Sequence, residues 1–145
     1  MPTAGTEPRP PTVATMSLPK DVALLAGIFA VSGAIHLTRP EVYEPLMPDF
    51  IPAHREVILA SGVAELACAA GLVHPRTRRL AGLASAALLV VVFPGNLKMA
   101  DDARRSRSTR FKAMAYGRLP LQAPMIRTAW RAARATQPAS GPSGS

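Results

Sequence analysis

One carboxylate stands where a carboxylate is costly. Glu65 lies near the middle of the apolar run EVILASGVAELACAAGLV, and an ionised side chain in hydrocarbon costs at least a few kcal/mol even on lenient insertion scales. Helical spacing surrounds it with Ser61, Gly62, Cys68 and Ala69, all small, so its face is built to meet another helix. Such a group either handles protons or contacts a ligand, or else it clasps two helices through a buried hydrogen bond or ion pair.

The other polar residues inside apolar stretches are His36, Pro94 with Gly95 and Asn96, and Arg118 with Gln122. Arg118 is the expected partner of Glu65, because its long side chain can reach inward from one turn deep in its helix. Gln122, four residues on, shares that face. Pro94 has no amide hydrogen and leaves the carbonyl four residues earlier, at Val90, without its helical donor. Asn96 falls on one helical stripe with Gly82, Ser85 and Leu89 and so should point inward. Tyr43, with Pro48 and Pro52, lies in the loop after the first apolar run. The blander alternatives are an interfacial His36, a helix end at Pro94 and Asn96, and a membrane boundary at Arg118.

Several chemistries find no support. His36, His54 and His74 lack the local spacing of metal ligands. There is no Ser/His/Asp arrangement, phosphate-binding glycine loop or haem-attachment motif. Cys68 is the sole cysteine, so no intrachain disulfide or CxxC pair can form. No residue is assigned a catalytic role, and catalysis by the chain alone is not expected.

The elements that must position these residues are four apolar blocks, at about 22–37, 56–73, 80–97 and 113–130. Each approaches the ~20 residues that cross a ~30 Å hydrocarbon core. Soluble helices carry a polar stripe, and the third block has none over most of its length. The fourth block is the weakest, because Arg118, Gln122 and Arg127 interrupt it and Pro120 and Pro124 should disturb a helix. Snorkelling arginines near its two ends and Trp130 at headgroup level favour its insertion. Three spans are the alternative.

The expected fold is therefore all-α, an integral membrane four-helix bundle over 20–134, between disordered tails at 1–19 and 135–145. Small-xxx-small pairs (Ala30 and Ala34, Ala60 and Ala64, Ala67 and Gly71, Gly82 and Ala86) predict close helix packing. In a four-span chain the end of span one, the end of span three and the start of span four share one membrane face. His36, the Pro94–Asn96 stretch and Arg118 would form a polar layer reaching inward from that face toward Glu65. The net charge of +8 comes from basic residues bracketing apolar blocks, with seven aromatics in 145 residues. That pattern marks a membrane protein and argues against nucleic-acid binding. Flanking Lys and Arg number seven on one side and eight on the other. The short basic 76–79 loop tips the expectation to cytoplasmic termini.

Taken in order, a set of fragments resembles the DoxX-like family of small bacterial membrane proteins. They are Ser32-Gly33 and His36 with Arg39-Pro40 and Tyr43; Met47-Pro48 and Ile51-Pro52; and Ser61-Gly62-Val63-Ala64-Glu65-Leu66. Pro75 with Thr77-Arg78, Val92-Phe93-Pro94-Gly95-Asn96, and Arg118-Leu119-Pro120-Leu121-Gln122 complete the set, which covers roughly 22–130. The resemblance implies a four-helix membrane bundle in the cell membrane and a link to quinone-reducing or thiol-redox complexes. With one cysteine the chain cannot do dithiol chemistry alone, so a redox-protein partner would have to supply the second sulfur.

These readings converge on an auxiliary or ligand-binding subunit in the bilayer. Its polar core would be Glu65, Arg118, Asn96, His36, Gln122, Tyr43 and Pro94, a quinone its candidate ligand, and self-association an option. The alternatives are a scaffold with an internal polar clasp and a small transporter, which would need oligomers to line a path.

Overall fold

A computed structural model describes residues 17–135, so the tails expected at each end lie almost wholly outside the described residues. Those residues form five α-helices, two short 3-10 turns and no strand. The helices are α1 (Lys20–Thr38), α2 (His54–Val73), α3 (Arg78–Val91), α4 (Phe93–Arg105) and α5 (Thr109–Arg134). The 3-10 turns, Pro40–Val42 and Glu44–Leu46, fall in the loop after α1.

Three stretches are long and apolar enough to cross a membrane: α1, α2 and the α3–α4 run from Arg78 to Arg105. Their outer faces carry large apolar side chains. Leu24, Val31, Val63, Leu80, Val90 and Val91 are each more than half exposed. A water-soluble helix would carry its polar stripe there.

α1 buries Val22, Leu25, Ala26, Phe29 and Gly33, the 3–4 spacing of a single helical face. That face packs on α2, while α3 packs on α5; α2–α3 and α1–α5 contacts close the arrangement. The main core joins Leu25, Phe29, Leu72, Leu89 and several alanines, Ala129 and Ala132 among them. A second, smaller core lies at the other end, where Met99, Ala103 and Ala115 pack with Leu46 and Phe111.

The third expected span, 80–97, is divided. Regular helix is interrupted at Val92, which keeps helical dihedrals and donates to the Leu88 carbonyl, and α4 follows with Pro94 in its first turn, a position where a missing amide hydrogen costs nothing. α4 then runs to Arg105 through residues expected to be loop. The fourth expected block lies within a longer helix, α5, of 26 residues, which stays helical through Pro120 and Pro124. Both prolines are exposed and four residues apart, so the backbone groups they leave unpaired lie away from the packed face. Ser108 caps α5, its Oγ accepting from the Phe111 amide at 3.3 Å.

Of the expected small-residue contacts, Gly82 and Gly71 do pack closely on neighbouring helices, while others need correcting. Ala34, Ala60 and Ala67 are exposed. The close approach of α1 and α2 is made by Gly33 and Gly62 instead, and that of α3 and α5 by Gly82 against the backbone at Ala129 and Ala133. Facing positions decide helix approach, and an i,i+4 pair on one helix says nothing of its counterpart.

Candidate functional site

Side chains of all five helices and of the loop after α1 converge on one region of the bundle. A cavity of about 650 Å³ opens there, within the ordinary range for small-molecule sites. Glu65, Arg118, Asn96, His36, Gln122, Tyr43 and Pro94 all line it. Apart from Ser32 and Ser61, the rest of the wall is apolar, contributed by Phe29, Ile58, Leu89 and Met99 among others.

On the α1–α2 wall, the Gly33–Gly62 approach brings His36 beside Glu65. His36 Nδ1 donates to the Ser32 carbonyl at 2.8 Å, so that nitrogen carries a hydrogen. The same Nδ1 lies 3.5 Å from Glu65 Oε2. Tyr43 stacks on the imidazole, with centroids 3.9 Å apart and planes 12° from parallel. The ring is thus held between loop and helix. Glu65 is 7% exposed, yet Oε2 accepts no hydrogen bond among the described residues, and neither does the Oγ of Ser61 one turn away.

On the opposite wall Gln122 organises a three-part chain. Its Nε2 donates to the Leu89 carbonyl at 2.6 Å, and its Oε1 accepts from Asn96 Nδ2 at 2.9 Å. The carbonyl served is therefore Leu89, not Val90 as the proline spacing suggested. Regular helix is interrupted at Val92, and this side of the interruption presents Leu89 to α5. Gln122 is 4% exposed and fully engaged, so what this wall offers a ligand is Asn96 Oδ1 and Arg118.

The expected Glu65–Arg118 ion pair is not formed. Glu65's ion-pair neighbour is His36 on the adjacent helix, while Arg118, half-buried on α5, lines the cavity. Both groups face the same space from different walls. The space between them is what a direct pair would have closed.

The loop after α1 roofs the cavity with Tyr43, Leu46, Met47 and Pro48. Lys98 Nζ donates to the Pro45 carbonyl at 3.1 Å and pairs with Asp102 at 2.9 Å. His54 Nε2 lies 3.2 Å from the Pro48 carbonyl. Sequence reasoning put Tyr43 and Pro48 of this loop on the polar side but did not foresee it as a roof, and it missed Ser32 and Met99 as participants. Ser32 carried a signal, since it lies one turn before His36 on the same face. Among the described residues no group of three or more His, Cys, Asp and Glu gathers as a metal site would require.

No curated protein and no solved structure matches the chain. A family model does match, over residues 25–133. That span runs from the buried start of α1 to the last turn of α5 and takes in every residue of the cavity wall. The chain belongs to the family described as Domain of unknown function (DUF8561).

Proposed function

We propose that this chain is an integral, multi-pass protein of the cell membrane, a DoxX-like four-helix bundle that binds a small lipid-phase molecule of the quinone class. The four spans are α1, α2, α3 with the start of α4, and α5, and both termini are cytoplasmic. The single observation that carries the binding reading is the cavity itself. It combines a mostly apolar wall, a buried carboxyl oxygen without a hydrogen-bond partner, and hydrogen-bonding groups on the opposite side. Ligand sites pair a mostly apolar lining with a few placed polar groups in this way. The protein acts as a binding or auxiliary subunit for a membrane redox partner.

The scaffold reading draws on the His36–Glu65 approach and the Asn96–Gln122–Leu89 chain, which do tie helices together. Binding separates the two readings. Purified protein in nanodiscs should bind a decyl-substituted quinone or its hydroquinone saturably, and Glu65→Gln should weaken hydroquinone binding while the thermal midpoint changes little. A well-folded sample with no saturable binding would sink the ligand reading and leave the scaffold. Mass spectrometry of small molecules and proteins that copurify would identify the natural ligand and partner.

A further inference from the structure

The lining of the cavity carries information about its occupant beyond polarity. Its loop end is roofed, and the roof is pinned by Lys98 to the Pro45 carbonyl and by His54 to the Pro48 carbonyl. Its side is different. Phe50, Val57, Val91 and Leu121 line the cavity and are 79%, 40%, 73% and 47% exposed. These four residues rim an opening between the start of α2 and the α3–α5 pair. Every one of them is apolar.

The depth of that opening follows from helix rise. Val91 lies about 20 Å along α3 from its start at Arg78, at ~1.5 Å per residue. Leu121 lies about 18 Å from the start of α5 and about 20 Å from its end on the same rise. With a hydrocarbon core ~30 Å thick, both fall inside it. Given the membrane placement proposed above, Val91 and Leu121 face acyl chains, while Val57, about 5 Å into α2 on the same rise, and Phe50 in the loop before it set the opening's other edge near the headgroups.

Charge and hydrogen bonding constrain the head. The cavity's fixed charges are one carboxyl, Glu65, and one guanidinium, Arg118, on different walls, with the His36 imidazole beside the carboxyl, so a neutral guest leaves their balance undisturbed. Glu65 Oε2 is buried without a hydrogen-bond donor, as is Ser61 Oγ. A buried acceptor left unpaired is costly, and a guest's hydroxyl would supply the missing donor.

We propose that the cavity takes a neutral lipid whose head bears a hydroxyl, loaded sideways from the bilayer through the Phe50–Val57–Val91–Leu121 opening, with the hydroxyl donating to Glu65. This rests on the lipid-phase binding reading and narrows it. Within the quinone class it selects the reduced, hydroxyl-bearing form over the dicarbonyl form.

The test uses the full chain in nanodiscs and two probes at equal bilayer concentration: a decyl-substituted hydroquinone kept reduced, and the same compound with both hydroxyls methylated. The hydroquinone should bind roughly tenfold tighter, the factor that one hydrogen bond to a buried acceptor provides. Glu65→Gln should shrink that preference. Val91→Trp with Leu121→Trp should slow hydroquinone association roughly tenfold, whereas Lys98→Ala, which loosens the roof, should leave it unchanged.

Equal affinity for the two probes overturns the hydroxyl assignment. Association that is insensitive to the tryptophans and quickened by Lys98→Ala overturns the lateral route. In both cases the lipid-phase binding reading survives. If neither probe binds a sample whose Cys68 resists alkylation, that reading fails too, and this inference with it.

Discussion

Gly33 and Gly62 meet across the α1–α2 interface so closely that a Cβ on Gly62 would lie 3.0 Å from the Gly33 carbonyl oxygen. The same Cβ would lie 2.7 Å from the His36 Cβ. This backbone approach is what sets His36 Nδ1 3.5 Å from Glu65 Oε2. Gly62→Ala should therefore push the helices apart, lowering stability by about 1–3 kcal/mol, the ordinary cost of overpacking. Cys68 offers the readout, since it is buried in α2 and is the sole cysteine. Its alkylation by a thiol dye on heating reports unfolding. Gly27→Ala is the control, because a Cβ there meets nothing within 4 Å. Equal midpoints for the two variants would refute the close approach.

Gln122 bridges three helices: its Nε2 serves Leu89 on α3 and its Oε1 serves Asn96 on α4. Gln122→Leu strands both partners and should cost about 1–3 kcal/mol, the penalty for unpaired buried polar groups. Adding Asn96→Leu to Gln122→Leu should cost much less than the sum of the single changes, because the second substitution removes a group the first had already orphaned. Additive losses in the Cys68 alkylation assay would mean that the two side chains are not coupled.

The parts of this architecture that were legible in the sequence are those encoded one helix at a time. The all-helical class and the apolar blocks followed from unbroken hydrophobic runs. The inward aim of Glu65, Asn96 and Gln122 followed from helical spacing, and the cavity gathers all seven residues singled out for the polar core. What depends on the pairing of helices was not legible. Glu65 meets His36 and not Arg118, because the Gly33–Gly62 approach brings α1 nearer to α2 than α5 comes. The interruption at Val92 was hidden because Pro94 is compatible both with a disturbed helix and with the first turn of a new one. Gly33 and Gly62 were visible as small residues, yet nothing in either helix alone says that they face each other.

Arg78 has a capping role that its flanking position did not announce. It is 7% exposed, and its guanidinium donates from Nε to the Leu72 carbonyl at 2.9 Å and from Nη2 to the Val73 carbonyl at 3.2 Å. These are end-of-helix carbonyls of α2 that lack amide donors. Arg78→Met keeps much of the side-chain volume and loses both bonds, so it should cost about 1–3 kcal/mol. Arg78→Lys should recover only part of the loss, since a single ammonium cannot reproduce the fork. Full recovery by lysine would show that charge alone matters at this turn.

The placement of α5 can be tested through Trp130, the single tryptophan of the chain. Unlike α1, α2 and the α3–α4 run, α5 is not apolar enough by composition to mark a membrane crossing, so its depth depends on packing against α3. That packing is tightest at Gly82, where a Cβ would lie 2.6 Å from the Ala133 nitrogen and 2.7 Å from the Ala129 carbonyl oxygen. Both neighbours are backbone, so relief requires α5 itself to move. In vesicles of bromine-labelled lipid, wild-type Trp130 should be quenched most by labels just beneath the headgroups, where tryptophan ordinarily settles. Gly82→Ala should shift that quenching profile toward water and lower the Cys68 alkylation midpoint. Gly71→Ala, whose Cβ would meet only the Ala81 side chain at 2.7 Å among its close neighbours, should leave the profile in place. A Trp130 indifferent to lipid labels in the wild type would mean that α5 lies outside the bilayer, and the four-span arrangement would fall to three.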